Sequence, residues 1–341
     1  FTNTPVSIKA WTSNPNSAVD TVRRNDSAYW SGSAGMGGIY TIGSGGNYNS
    51  FAAAVNAIQV NGLCGPVTFN VLPGTYYEQV NILSEFPGAS ATNTVTFNGS
   101  GIASCVLTYG AYLTGARHTV QISAADYVTF QNITIQGSGT TYAWPVYITN
   151  SADNVTIKKC KIEITAPINA NTGTFNYMGV VVAGSQSSSP TGGLIENLIL
   201  DSNTIQSATC GIYSMGTGIS GGHMYRGNTV LYCDRAIDVN SLRNIVVSGN
   251  TIKNRNINSN SNWGISLNYM TPASAADVFV ITENKITNAT LYGINIQSVN
   301  CLPQTKGLIA NNMIGGGFTQ MGSIGINLNY SNYLNFPLKT I

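Results

Sequence analysis

The sequence predicts an all-β solenoid, a stack of short strands closed at its N-terminal end by one α-helix. Three observations carry this. First, six segments in the second half place a small residue before an alternating apolar pair: Gly179-Val-Val-Val, Gly211-Ile-Tyr-Ser, Ala236-Ile-Asp-Val, Gly264-Ile-Ser-Leu, Gly293-Ile-Asn-Ile and Gly325-Ile-Asn-Leu. Their starts lie 32, 25, 28, 29 and 32 residues apart, a spacing that marks one supersecondary unit per repeat. Second, Asn203, Asn228, Asn250, Asn284 and Asn312 each stand two residues before an apolar position, forming a ladder out of phase with the first, and Cys160 fills the same column one coil earlier. Third, the chain has 40 Asn and 37 Gly, residues suited to tight turns with positive φ.

Composition excludes several classes. Charged residues are 8% of the 341, against roughly 25% in ordinary globular proteins, while apolar residues are 43% and the net charge is +2. Apolar content of that size rules out disorder. So small a net charge gives no electrostatic reason to expect nucleic acid or an acidic membrane surface as partner. No apolar run is long enough to span a bilayer, which argues against membrane insertion. Phe1 begins no signal peptide, and a chain starting without Met reads as a processed or excised fragment. The six cysteines lack CxxC spacing, so neither a zinc site nor any other metal or cofactor is expected. In a secreted protein Cys64–Cys105 or Cys210–Cys233 are candidate pairs; buried free thiols are the alternative.

Residues 1–40 form an N-terminal extension. Val6-Ser-Ile-Lys-Ala-Trp11 alternates like a strand, and Asn14-Pro-Asn16 before Asp20 reads as a turn. The stretch resembles the closing hairpin of Ig-like modules in bacterial surface proteins, with Asn25-Asp26 at its end. That likeness implies a remnant of, or linker from, a preceding domain. Residues 41–341 hold the repeat. Asn49 or Ser50 can cap a helix beginning at Phe51, whose apolar residues 51, 54, 55 and 58 share one face, and Gly62 stops it. One amphipathic helix before a strand array would cover the open end of the stack. Strand patterns follow at Pro66-Val-Thr-Phe-Asn-Val, Thr94-Val-Thr-Phe, Val128-Thr-Phe-Gln-Asn-Ile-Thr-Ile and Asn154-Val-Thr-Ile. The 43 residues from Cys160 to Asn203 hold Ser185-Gln-Ser-Ser-Ser-Pro-Thr-Gly-Gly, either an extra coil or a loop thrown out of the stack.

Helix, strand, then Pro73-Gly-Thr-Tyr-Tyr-Glu-Gln-Val-Asn-Ile82 resembles the opening of right-handed parallel β-helices of the pectin-lyase-like superfamily, above all secreted bacterial ones. The likeness covers about residues 41–335. It implies a right-handed parallel β-helix and a secreted or cell-surface location.

Alternation assigns the faces. Ile212/Ser214, Ile237/Val239, Ile265/Leu267, Ile294/Ile296 and Ile326/Leu328 should point into the core. The residues between them (Tyr213, Asp238, Ser266, Asn295 and Asn327) should face solvent. With Asn240, Asn268, Gln297, Asn329, Tyr269 and Tyr330 just beyond, they make a neutral, amide-rich strip. Such a strip suits a neutral glycan, amides bonding hydroxyls and aromatics covering sugar faces; the plainer reading is a solvated outer surface. Catalysis needs concentrated charge: a glycosidase two carboxylates across a cleft, a lyase cations or calcium-binding acids. Only 13 acids are present. The best cluster is Asp234, Arg235 and Asp238, with His223 and Arg226 a coil earlier; an acid beside Arg at a β-turn is more often structural. His118, after Arg117, has no sequence partner marking it as a base.

Residues 117–148 loosely resemble early coils of pectin methylesterases, yet Ala143-Trp-Pro-Val-Tyr lacks the Gln of that family and no Asp-Phe-Ile-Phe-Gly-like segment follows. Gly222-His223-Met224 stands where polygalacturonases have Gly-His-Gly, and the Asp-Pro-His-Glu of alginate epimerases is missing. The sequence therefore favours a non-enzymatic extracellular module of a larger surface protein, adhesin-like or structural, contacting a polysaccharide or cell-surface glycan. The alternatives are a carbohydrate-active lyase or hydrolase with an atypical site near Asp234–Asp238, and a subunit of a fibre or spike whose faces pack on other copies or domains.

Overall fold

A computed structural model describes residues 5–12, 27–33, 35–166, 175–255, 262–316 and 323–337. Each coil of the stack contributes one strand to each of three sheets, and every neighbouring pair within them is parallel. The first sheet has eleven strands, from Met36–Ile42 to Leu334–Asn335; the second has nine, from Gly74–Tyr77 to Met313–Gly315; the third has nine, from Val80–Ile82 to Ile324–Asn329. Three stacked parallel sheets wound by one chain define a parallel β-helix. Right-handed winding is the sense favoured for crossovers between parallel strands.

The six small-residue segments are strands of the third sheet, and they pair in register. Their leading glycine has a steric cause: a Cβ on Gly211 would lie 2.6 Å from the Ala236 carbonyl oxygen and 2.7 Å from Val230 Cγ1. The inward pairs are buried as expected, Ile237, Val239, Ile265 and Ile294 all having no exposed surface, whereas Ile326 and Leu328 in the final coil are exposed. The asparagine ladder lies at the corner between first and second sheets. Asn228 Oδ1 accepts the Asn203 backbone N–H and its Nδ2–H, both at 3.0 Å, and Asn250, Asn284 and Asn312 repeat the pattern. Cys160 does hold the column one coil earlier, its N–H reaching Asn203 Oδ1 at 3.0 Å. One left-handed residue precedes each rung (Lys159, Ser202, Gly227, Gly249, Glu283, Asn311), turning the chain sharply enough to put the carboxamide inside.

The capping helix spans Phe51–Asn61, with Ser50 as N-cap, Gly62 at its end, and Phe51, Ala54, Val55 and Ile58 buried. The Pro-Gly-Thr-Tyr-Tyr-Glu motif has a mechanical role here. Glu78 Oε1 and Oε2 accept the Phe51 and Ala52 N–H groups at 2.9 and 3.0 Å, putting a carboxylate on the positive end of the helix. Tyr76 donates to the Leu72 carbonyl at 2.8 Å and stacks edge-on against Phe51.

Pro5–Trp11 pairs antiparallel with Ser27–Ser33 in a two-stranded sheet of its own, matching the strand expected at Val6–Trp11. The turn at Asn14–Asn16 and the Asn25-Asp26 pair fall outside the described residues. Between Cys160 and Asn203 the chain forms one coil, with strands Lys161–Ile164, Met178–Val182 and Ile199–Asp201, so the serine-rich run is a loop and no extra coil. The cysteines are all free: neither candidate disulfide forms, and five of the six thiols are buried. No helix among the described residues is long and apolar enough to cross a membrane.

Candidate functional site

The outer face of the third sheet divides into an apolar and a polar half. In its earlier coils Trp144, Tyr147, Met178, Val181, Cys210 and Tyr213 form a second hydrophobic cluster outside the main core, with Phe175 packed on it. Phe175 lies edge-on against Tyr213, centroids 5.2 Å apart. Tyr213 is therefore buried, contrary to its expected place on the solvent face. The sequence signal for this was available: Trp144-Pro-Val-Tyr-Ile and Met178-Gly-Val-Val-Val are continuously apolar, as strands covered on both faces are.

From Arg235 onward the same face turns polar. Asp238, Ser266 and Asn295 are 4%, 1% and 7% exposed, so these residues, like Tyr213, are enclosed where alternation puts them in water. Parallel register explains the difference, because it stacks like positions and lets each side chain cover its neighbour with a hydrogen bond. Asp238 Oδ2 accepts from Arg235 Nη1 at 3.0 Å, and its Oδ1 accepts from Asn240 Nδ2 at 3.1 Å and Asn268 Nδ2 at 3.3 Å. Asn295 Nδ2 donates to Ser266 Oγ at 2.9 Å, and Asn327 Nδ2 donates to Asn295 Oδ1 at 2.8 Å. The between-coil donors of this chain point toward Asp238, making its carboxylate the anionic end of a ladder four coils long. Burial pushes the Asp238 carboxyl above the usual carboxylate range, with Arg235 and Asn240 opposing the shift. The Arg235 guanidinium lies 5.1 Å from the Phe175 ring centre and 5.6 Å from that of Trp263.

Above this ladder runs a groove of about 440 Å³, lined by Arg235, Asp238, Asn240, Trp263, Ser266, Asn268, Tyr269, Leu291, Tyr292, Asn295, Gln297, Asn327 and Asn329. Nine of the eleven residues of the strip expected from the sequence line it. Tyr213 is buried in the apolar half and Tyr330, 81% exposed, stands outside. Tyr269 and Tyr330 both occupy left-handed corner positions, with φ of 54° and 48°. Trp263 and Tyr292 stand one residue before the small residue of their strands and Leu291 two before it, outside the alternating pattern, so nothing in the repeat marks them.

Of the charged candidates, Arg235 and Asp238 come together and the others do not join them. Arg226 belongs to the first sheet and pairs with Asp201 at 3.0 Å, so it does not share a face with Arg235 and Asp238. Asp234 approaches Arg255 at 3.4 Å and does not line the groove. His223 is a core residue: Nε2–H donates to the Ile195 carbonyl and Nδ1 accepts from the Tyr225 hydroxyl, both at 3.0 Å. Burial pushes its pKa down to about 4, against the bond to Ile195. The sign follows: the fold favours neutral His223, so its contribution is complete above pH 6.5 and lost as pH falls toward 4. That loss is about 3 kcal/mol. Urea unfolding across this range should show stability falling on acidification, and His223→Gln should flatten the profile.

His118, which has no partner legible in sequence, is also buried and bonded. Gln186 Oε1 accepts the Arg117 N–H at 2.7 Å and lies 3.1 Å from His118 Nδ1, while His118 Nε2 lies 2.8 Å from Asn81 Oδ1. These contacts tie the serine-rich loop to the sheet. No group of three or more His, Cys, Asp or Glu among the described residues is arranged to hold a metal ion.

No protein-family model matches this chain, and no curated protein matches it. Among solved structures it is similar to an alginate lyase from Paenibacillus sp. str. FPU-7, with 12% identity, 80% of this chain and 97% of that one covered, and a TM-score of 0.49. It is also similar to the pectin methylesterase PemA from Erwinia chrysanthemi, at 11% identity, 84% and 92% coverage and a TM-score of 0.49. A rice weevil pectin methyl esterase matches at 14% identity, 86% and 88% coverage and a TM-score of 0.46. The assignment as a parallel β-helix stands on the sheet topology above.

Proposed function

We propose that this chain is a carbohydrate-binding β-helix of a secreted or cell-surface protein, holding a neutral glycan in the groove on the third sheet without turning it over. The observation that carries this reading is a polar groove whose fixed charge is already paired. Asp238 spends both oxygens on Arg235, Asn240 and Asn268, whereas the rim offers unspent amides. Gln297 and Asn329 form no side-chain hydrogen bond among the described residues, and neither Asn240 Oδ1 nor Asn327 Oδ1 accepts one there. Amides meet hydroxyls as both donor and acceptor, and Trp263, Tyr269 and Tyr292 offer flat faces. A uronate would find no unpaired cation in this groove.

A second reading, catalysis on a polysaccharide, is favoured by one observation: a buried carboxyl raised above its usual range is what a general acid requires. Against it, the groove holds one carboxylate where glycoside hydrolysis uses two. Both readings meet in one experiment. Purified protein is applied to neutral, pectic and alginate polysaccharides, with retention and product formation measured together. The expected result is retention of a neutral glycan without product, weakened about tenfold or more in Gln297→Ala/Asn329→Ala, on the order of 1 kcal/mol per lost bond. Product from wild type would establish the enzyme; neither retention nor product with any of the polysaccharides would sink both.

A further inference from the structure

The groove on the third sheet is closed at one end. Its floor consists of two outward columns in parallel register, and both change character at the same step: Tyr213 pairs with Asp238, and Met215 with Asn240. On the Asp238 side the floor is one side chain deep. On the Tyr213 side a second layer lies above it, because Phe175 rests edge-on against Tyr213 and packs with Met215 onto the apolar cluster. Phe175 also borders the groove, its ring centre lying 5.1 Å from the Arg235 guanidinium, which meets the Trp263 ring at 5.6 Å. This wall is anchored. The Phe175 carbonyl accepts Trp144 Nε1–H at 2.8 Å and Arg117 Nη1–H at 3.4 Å, and Arg117 Nη1 reaches Asn176 Oδ1 at 3.3 Å. Trp144 and Arg117 are themselves buried.

The flanks are raised as well. Trp263 and Tyr292 line the groove from the starts of their strands, and Tyr269 lines it from the corner beyond the strand end. An elongated guest therefore lies along the columns, over Asn268 and Gln297, advancing about 4.8 Å per coil. It can run on in that direction, but it cannot pass Phe175. An internal stretch of a polymer must leave its site at both ends, whereas a chain terminus leaves at one. The geometry points to recognition of a chain terminus, on the reading that this groove is the glycan site. The last sugars of a neutral polysaccharide lie in the groove, the terminal ring against Phe175 and Trp263, with the chain running out along the amide column. One closed end suffices for this, whatever follows the final described coil.

Binding stoichiometry tests it. Length-fractionated linear amylose, β-1,3-glucan, β-mannan, xylan and β-galactan are titrated calorimetrically, a short and a long fraction of each. The expected result is one protein per chain in both fractions of whichever glycan binds, because a longer chain adds interior but no ends, and its two ends differ chemically. Retention on an equal mass of sugar should then rise in proportion as chains are shortened. Phe175→Ala, with an unchanged circular dichroism spectrum, should uncover the Tyr213 ring as further floor and let several copies bind one long chain. Wild-type protein bound in proportion to chain length would overturn the proposal while leaving the glycan site standing. A folded Phe175→Ala that still binds once per chain would overturn it too, and binding to none of these glycans would overturn both.

Discussion

Asn250→Leu is expected to destabilise the fold by about 3–5 kcal/mol, a large part of the 5–15 kcal/mol that holds a typical domain together. The side chain is fully buried and makes four hydrogen bonds. Its Oδ1 accepts the Asn228 N–H at 2.9 Å and Nδ2–H at 3.0 Å, and its Nδ2 donates to the Tyr225 carbonyl and to Asn284 Oδ1, both at 2.9 Å. Leucine fills similar space but leaves the Asn228 N–H and the Tyr225 carbonyl buried without those partners. Each orphan costs about 1–3 kcal/mol, more than the leucine methyls recover. Asn312→Leu is the control. Asn312, the last rung among the described residues, is half-buried and its bonds are only partly buried, so the loss should be about 1 kcal/mol. Denaturant unfolding of both variants measures the difference; equal losses would mean that the ladder contributes through local turn geometry instead of through buried bonds.

That contrast also shows what a sequence of this kind makes legible. Repetition is visible, and register follows from it, so the Gly-Ile strands, the ladder with Cys160 as its earlier member, and the capping helix could all be read from residue order. Inward and outward faces were legible as well, since alternation fixes the inner pair Ile265/Leu267 beside the outer Ser266. Whether an outer residue meets water was not. Enclosure depends on contacts absent from the local pattern: Phe175, thirty-eight residues away in sequence, covers Tyr213, and Asn268 from the next coil covers Asp238. The charged candidates failed for a related reason. Arg226 and Arg235 are near in sequence, but a β-helix turns a corner every few residues, so sequence neighbours land on different sheets while residues one coil apart become true neighbours. Amide positions survived because a column seen once in the repeat recurs at every coil.

Asp238→Ala should cost about 3–5 kcal/mol, and the reason bears on how any functional test of this groove is read. The Arg235–Asp238 pair is largely shielded from solvent, the side chains being 13% and 5% exposed. Removing the carboxylate strands a guanidinium between Phe175 and Trp263 and deprives Asn240 and Asn268 of their acceptor. A variant damaged this way would lose glycan retention or turnover simply by loosening the third sheet, so its inactivity alone assigns Asp238 no role. Replacing both partners separates the cases. A buried ion pair exchanged for apolar groups of similar volume is often neutral or stabilising, so Arg235→Met/Asp238→Leu should regain most of the stability lost in Asp238→Ala, as read by thermal and urea unfolding. If the groove binds a glycan through its rim amides, this double variant should keep binding through Gln297 and Asn329 with little change in affinity. If Asp238 acts chemically, the double variant should be folded, able to bind, and unable to form product. Loss of binding in a fully stable double variant would instead put the ion pair itself in contact with the ligand, and would move the recognition surface from the amide rim to the Arg235 end of the groove.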